Sequence, residues 1–186
     1  IQNKVLSFLK ECIDAGADGF RFDAAKHIET PEEIGNFASQ FWPTVIMGAK
    51  AYYKEKTSGN LYCYGEILDN LASSGEKPSV TAYTKYMSVT ANDSSNSVMQ
   101  AIGNSNASDA ANSNISLADK PSKAVLWAES HDTWADGTTS AIDTAIINKT
   151  WAIIAARADA MSLYFARPNS KSDKLGLVNC GSGMHI

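Results

Sequence analysis

Helix-like and strand-like segments alternate along this chain, and the alternation restricts the possible folds more than any other feature of the sequence. Apolar residues at helical spacing predict helices over residues 1–15, 40–56, 94–102 and 144–158. Short apolar runs between them predict strands over residues 17–23, 61–65, 86–89, 124–127 and 161–165. Because helical crossovers join parallel strands, we expect an α/β fold with a parallel sheet.

An acidic residue stands at or shortly after the end of three predicted strands. These residues are Asp23, Glu66 and Asp132, roughly one and two strand–helix units apart. A closed barrel of about 250 residues averages about 31 residues per unit and carries its catalytic groups at the carboxyl ends of its strands. An open doubly wound sheet also alternates, but it usually has a Gly-rich phosphate turn, and we find none. The pattern therefore predicts a (β/α)8 TIM-barrel type of fold.

The residues that end the first strand form a charged pair. Strand alternation places Arg21 and Asp23 on one face and Phe20 and Phe22 on the other. A guanidinium beside a carboxylate favours the ionised carboxylate, which makes Asp23 a candidate nucleophile. An ordinary surface ion pair is the alternative interpretation.

Two connections are predicted from turn-forming residues. Thr30 is expected to cap a short helix that begins at Pro31. Residues 104–116 are rich in Asn, Ser and Ala and are predicted to form a loop.

Composition excludes several classes of protein. The 186 residues carry a net charge of −4 and no cluster of Lys or Arg, so we expect no nucleic-acid partner. No apolar run is long enough to cross a membrane, and we expect no leader here because the first residues lack its charged-then-apolar pattern. Cys12, Cys63 and Cys180 lack metal-type spacing and are expected to be free thiols. Because Ile1 opens on a helix without Met, we expect the chain to begin inside a longer protein.

Four segments together resemble a known family. The runs GFRFDAAKH at 19–27, YGEIL at 64–68 and ESHDT at 129–133 closely resemble three consecutive motifs of the α-amylase family, in particular of secreted bacterial α-amylases. MSLYFARP at 161–168 is similar to that family's last barrel strand. The resemblance implies that residues 1–186 are part of a catalytic barrel domain and supply roughly strands 4–8. The first strands, an inserted loop domain and a C-terminal β-domain would then lie outside the chain, and the protein would be extracellular.

The resemblance implies a retaining hydrolase of α-1,4-linked glucans such as starch or maltooligosaccharides. Asp23 matches the nucleophile, Glu66 the general acid/base and Asp132 the carboxylate that stabilises the transition state. Retention needs two carboxyl groups about 5–5.5 Å apart, one ionised and one protonated. Tyr62 and Tyr64 share the face of Glu66, where they would either favour its neutral form or simply fill the barrel.

Further roles follow from the same resemblance. The backbone carbonyl of His27 matches a calcium ligand, a hard oxygen donor that suits this ion, with the remaining ligands outside this chain. Trp134 would stack on a sugar ring or be packed in a loop. Ser130 replaces an Asn that belongs to chloride-dependent members, which argues against chloride. The residues expected to bind substrate are Arg21, Lys26, His27 and His131.

Two alternatives to a working hydrolase remain. One is a non-catalytic relative that keeps the barrel as an α-glucan-binding or assembly module, although such relatives typically lose one of the three acids. The other is a fragment that is inactive without the missing half, since a five-strand arc leaves open sheet edges. A transglycosylase would be a variant of the hydrolase.

Overall fold

A computed structural model describes residues 1–32, 38–68, 79–91, 94–113, 117, 120–157 and 159–168. The chain divides into two compact units. Unit 1 comprises Ile1–Thr90 with Ser122–Ala124, and unit 2 comprises Ala91–Pro121 with Val125–Ile186. Among the described helices, none is long and apolar enough to span a membrane.

Unit 1 alternates helices with parallel strands. Its elements are helix α1 (Gln2–Asp14), strand β1 (Gly19–Phe22), a 3-10 turn (Ala25–His27), a π-helical turn (Pro43–Met47), helix α2 (Gly48–Thr57), strand β2 (Tyr62–Gly65), helix α3 (Val80–Tyr83) and strand β3 (Ser88–Thr90). β2 lies between β1 and β3 and is parallel to both. Phe22 is in register with Gly65, so the residues that follow these two strands start side by side.

Aromatic packing supports the carboxyl end of β1. Trp42 is buried and packs edge-on against two rings. Its ring centroid lies 5.3 Å from that of Phe22 and 6.3 Å from that of Tyr83. Pro43 follows Trp42 in the first turn of a helical segment, where the missing N–H of proline costs no helical bond, and a π-helical turn begins there. Phe22, on the Phe face of β1, therefore packs against this helical segment.

Unit 2 has the same alternation. Its elements are helix α4 (Ser94–Gly103), helix α5 (Ala107–Asn112), strand β4 (Ala124–Trp127, whose first residue belongs to unit 1), helix α6 (His131–Ala135), helix α7 (Thr144–Ala155) and strand β5 (Met161–Leu163). β4 and β5 are parallel, with Trp127 opposite Leu163. The N–H of Ala91 donates to the carbonyl of Val125 at 2.9 Å.

Most predicted elements are present with shorter ends, but residues 104–116 do not form a simple loop. They contain α5, which begins where the side chain of Asn106 accepts a hydrogen bond from the N–H of Asp109. The alanines that follow favour a helix once it is capped. At Thr30–Pro31 the structure has a turn, and residues 33–37 of the short helix predicted there lie outside the described residues.

The α/β class and parallel strands are confirmed and are consistent with part of a barrel. The assignment to strands 4–8 stays a prediction. Cys12 and Cys63 are free thiols, as expected, whereas Cys180 lies outside the described residues.

Candidate active site

One arginine connects the two acids that follow β1 and β2 in unit 1. The Nη1 atom of Arg21 lies 2.5 Å from Oδ1 of Asp23. Its Nη2 atom lies 3.4 Å from Oε1 of Glu66. The pairing of Arg21 with Asp23 agrees with strand alternation, and the second contact follows from the register of β1 with β2. The structure therefore brings the predicted nucleophile and the predicted acid/base to the same guanidinium.

The two carboxyl groups differ in their environment. The side chain of Asp23 is 74% exposed and that of Glu66 is 16% exposed. Burial by itself would lower the pKa of Arg21, but the hydrogen bond to Asp23 and the charge of Glu66 outweigh it and raise that pKa above its usual value. Arg21 thus remains a cation between one exposed and one largely enclosed acid.

Glu66 is held by both its side chain and its backbone. Ala24 donates its N–H to Oε2 of Glu66 at 3.1 Å. The N–H of Glu66 donates to the carbonyl of Phe22 at 2.9 Å, and its own carbonyl accepts from Ala25 at 3.0 Å. Ala24 has a φ of 44°, a left-handed conformation that is uncommon for alanine. This turn directs the Ala24 N–H toward the carboxyl group.

The next turn places Lys26 and His27 differently. Lys26 is buried, whereas His27 is exposed at the end of the 3-10 turn. The carbonyl of Ile28 accepts from the Trp42 indole at 2.7 Å and from the Tyr83 hydroxyl at 3.0 Å. These bonds fix the turn, and the predicted contacts of Lys26 and His27 with a sugar stay predictions.

The described residues do not bring together a cluster of acidic side chains for calcium. None of them form a group of three His, Cys, Asp or Glu side chains able to hold a metal. The carbonyl groups of Lys26 and Ile28, on either side of His27, accept from Tyr83 at 3.4 and 3.0 Å. His27 would offer one backbone oxygen, which is too few for an ion that takes six to eight oxygen ligands.

Tyr62 and Tyr64 lie on the β2 face that leads to Glu66. Their ring centroids are 6.1 Å apart. Burial raises the pKa of both hydroxyl groups; at Tyr64 the charge of Arg21 opposes the rise and that of Glu66 adds to it. Both tyrosine hydroxyl groups are therefore neutral near this end of β2. This agrees equally well with tyrosines that act on Glu66 and with tyrosines that only fill the barrel interior.

In unit 2, His131 and Asp132 begin α6. Ser130 caps this helix: its side chain accepts from the N–H of Thr133 at 3.2 Å, and its own N–H donates to the Thr133 hydroxyl at 3.0 Å. Nε2 of His131 lies 3.4 Å from Oδ1 of Asp132, and both side chains are exposed. The cap fixes the backbone that carries these two candidate residues.

Sequence reasoning missed a buried ion pair next to this turn. Glu129, which directly precedes Ser130, is buried and binds Arg167 through both carboxylate oxygens, at 2.6 and 3.0 Å. The acid that opens the ESHDT run could have indicated an ion pair, but its partner Arg167 is 38 positions away in the sequence. Trp134 is buried with the Arg167 guanidinium 5.0 Å from its ring centroid, an arrangement that favours the packed interpretation.

Comparisons with known proteins bear on the resemblance. The chain is 34% identical to an alpha-amylase of Clostridium acetobutylicum over 90% of this chain and 21% of the relative. It is 32% identical to an alpha-amylase of Butyrivibrio fibrisolvens over 92% of this chain and 19% of the relative. No family model matches the chain. The chain is thus an α-amylase-like region that spans about a fifth of the length of these curated relatives.

Proposed function

We propose that this α-amylase-like region supplies catalytic acids to a retaining hydrolase that cleaves α-1,4-glucosidic bonds inside starch and related glucans. The observation that carries the proposal is the contact of Arg21 with both Asp23 and Glu66, at 2.5 and 3.4 Å. Two carboxyl groups that share one guanidinium can flank a single bond. The similarity to two alpha-amylases supports the choice of substrate.

In the first step, an oxygen of Asp23 attacks the anomeric carbon while Glu66 gives its proton to the glycosidic oxygen. The bond to the leaving sugar breaks and a covalent glycosyl ester forms on Asp23. In the second step, Glu66 takes a proton from water, whose oxygen displaces Asp23 from the same carbon. Two inversions return the product to the starting configuration, and both acids return to their starting forms.

The surroundings of the two acids support this assignment. Asp23 makes the shorter contact with Arg21 and is the more exposed, as suits an anion that attacks an incoming sugar. Glu66 is the more enclosed and is fixed by the N–H of Ala24. A carboxyl group held in a fixed direction is suited to meet the leaving oxygen, as a general acid/base must.

Other residues complete the proposal. Asp132 would bind sugar hydroxyls and stabilise the transition state. Calcium would be a structural ion with the His27 carbonyl as one ligand and all others outside this chain. We propose that the protein is extracellular, where starch is encountered. The residues assigned to substrate binding are Arg21, Lys26, His27 and His131.

The test is hydrolysis of soluble starch by the full-length protein and its Asp23→Asn and Glu66→Gln variants. We expect each variant to lose about 10²-fold or more in kcat, since each lacks one chemical group of the two-step reaction. Matched controls are Asp159→Asn and Glu11→Gln, which make the same changes at exposed positions. Wild-type rates in the site variants would refute the mechanism, and glucan binding without hydrolysis by the wild type would point to a binding module.

A further inference from the structure

A buried ion pair stands behind the turn that carries His131 and Asp132. The side chain of Glu129 is 1% exposed and that of Arg167 is 13% exposed. Nε of Arg167 donates to Oε2 of Glu129 at 2.6 Å and Nη2 donates to Oε1 at 3.0 Å. This two-point geometry fixes the relative orientation of both groups more tightly than a single contact would.

The remaining donors of Arg167 reach a second segment of unit 2. Nη1 donates to the carbonyl of Ile142 at 2.9 Å and to the hydroxyl of Thr144 at 3.0 Å. Nη2 also donates to the carbonyl of Thr139 at 3.0 Å. Arg167 thereby joins the residues after β5 to the connection between α6 and α7.

Thr139 links the ion pair to the cap of α6. Its hydroxyl donates to Oε1 of Glu129 at 2.5 Å and lies 3.1 Å from the hydroxyl of Thr133. Its N–H donates to the carbonyl of Thr133 at 2.9 Å. Thr133 is the residue whose hydroxyl accepts from the N–H of Ser130 in the cap.

Asp132 lies between the two residues of that cap. Its carbonyl accepts from Asp136 at 2.8 Å, and its side chain is exposed. The direction of the carboxylate therefore depends on the backbone that carries it. That backbone is connected to Glu129 through Thr133 and Thr139.

We propose that Glu129 and Arg167 are positioning residues that hold the Asp132 carboxylate in its working direction. This inference rests on the proposed function, in which Asp132 stabilises the transition state. The pair does not touch substrate. Its effect on the reaction passes through the turn, because small displacements of a catalytic group are costly in rate.

A double-mutant cycle in the full-length protein tests the idea. Arg167→Lys keeps the positive charge but loses the planar fork. We expect it to lower kcat on an activated aryl maltooligoside about tenfold or more, with KM changed less than about threefold. In an Asp132→Asn background, Arg167→Lys should lower kcat less than about twofold, because the carboxylate that the pair positions is no longer there.

The cycle separates positioning from damage to the fold. A loss of folded enzyme lowers kcat by the same factor in both backgrounds, and that additive result would overturn the inference while leaving Asp132 in its proposed role. If Asp132→Asn itself keeps the wild-type kcat, both the role of Asp132 and the inference fail. Arg157→Lys is the control, since Arg157 donates to the carbonyl of Ser113, away from the cap.

A second pair of variants covers the case in which Arg167→Lys does not fold. Thr139→Val removes the hydroxyl that joins Glu129 to Thr133, whereas Thr139→Ser keeps it. We expect Thr139→Val to lower kcat several-fold, Thr139→Ser to restore most of it, and Asp132→Asn to abolish the difference. Equal kcat values for the Val and Ser forms would refute the link.

Discussion

Replacing Trp42 with phenylalanine should loosen the turn that carries Lys26 and His27. Trp42 is 2% exposed, and its indole N–H donates to the carbonyl of Ile28 at 2.7 Å. Phenylalanine keeps an aromatic ring against Phe22 but has no donor. The carbonyl of Ile28 would keep only the longer bond from Tyr83, at 3.0 Å.

The expected cost has two parts. Loss of one of two donors to the part-buried carbonyl of Ile28 costs about 1 kcal/mol. The smaller ring leaves a gap that costs about 1–2 kcal/mol more. Together they lower the local opening free energy by about 2–3 kcal/mol, which raises the opening equilibrium constant about 30- to 150-fold.

Amide hydrogen exchange measures this opening directly, even inside a larger protein. The reporters are the N–H groups of His27 and Ile28, which donate to Ala24 and Ala25 at 3.1 Å each. We expect their exchange to speed up by about 30- to 150-fold in Trp42→Phe, in line with the loss of opening free energy given above.

The matched control is Trp151→Phe, because the Trp151 indole nitrogen is buried with no hydrogen-bond partner among the described residues. Exchange within about threefold of the wild type in Trp42→Phe would refute the reasoning. An equal effect of Trp151→Phe on the same amides would also refute it. In the double variant Trp42→Phe/Tyr83→Phe, we expect the local opening free energy to fall by more than the sum of the two single-variant decreases. Both donors to the Ile28 carbonyl are then gone.

Three further predictions concern Glu66, Cys63 and Glu32. Glu66→Gln should lower kcat on starch about 10²- to 10⁴-fold. The same variant should still release a burst of phenol from an aryl glycoside, because a phenolate leaving group needs no proton. Burial raises the pKa of the Cys63 thiol to about 11, so iodoacetamide at pH 8 should label Cys12 long before Cys63. Burial alone would raise the pKa of Glu32, but hydrogen bonds from Lys85 and Tyr86 outweigh it and lower that pKa. Glu32→Gln should therefore destabilise the protein by less than about 1 kcal/mol at pH 7, an effect lost as pH falls through the lowered pKa.

Each of these predictions has its own contrary result. If Glu66→Gln lowers kcat by the same factor on starch and on the aryl glycoside, Glu66 is not the proton donor. Glu11→Gln is the control, and its kcat should equal that of the wild type. Rapid native labelling of Cys63, located by mass spectrometry, would contradict its burial. For Glu32 the measurement is denaturant unfolding at pH 7 and at about pH 3. If Glu32→Gln lowers the free energy of unfolding by the same amount at both pH values, the stabilising role of the ionised Glu32 is refuted.

Local patterns predicted the strands and the charged pair, because both depend on residues near each other in sequence. The run Ala124–Trp127 was predicted to the residue, and alternation put Arg21 beside Asp23. The contact of Arg21 with Glu66 needed the register of β1 with β2, which alternation does not supply.

What the sequence did not reveal depends on partners far apart or on one local cap. The bond from Arg167 to Glu129 joins positions 38 apart, and the sequence analysis includes Arg167 only as part of the run MSLYFARP. The helix inside residues 104–116 depends on the single cap at Asn106, which outweighs the loop-like composition. Composition averages over such individual bonds and so misses them.

The side-by-side placement of the two acids follows from a close approach of two strands. Gly19 is in register with Tyr62, and a Cβ added to Gly19 would lie 2.6 Å from the carbonyl oxygen of Tyr62. Since that oxygen belongs to the backbone, a side chain at position 19 would force the strands apart or out of register. A slip of one residue would reverse the face on which each side chain of β1 lies. Glycine at position 19 therefore permits the register that lets one arginine reach both Asp23 and Glu66.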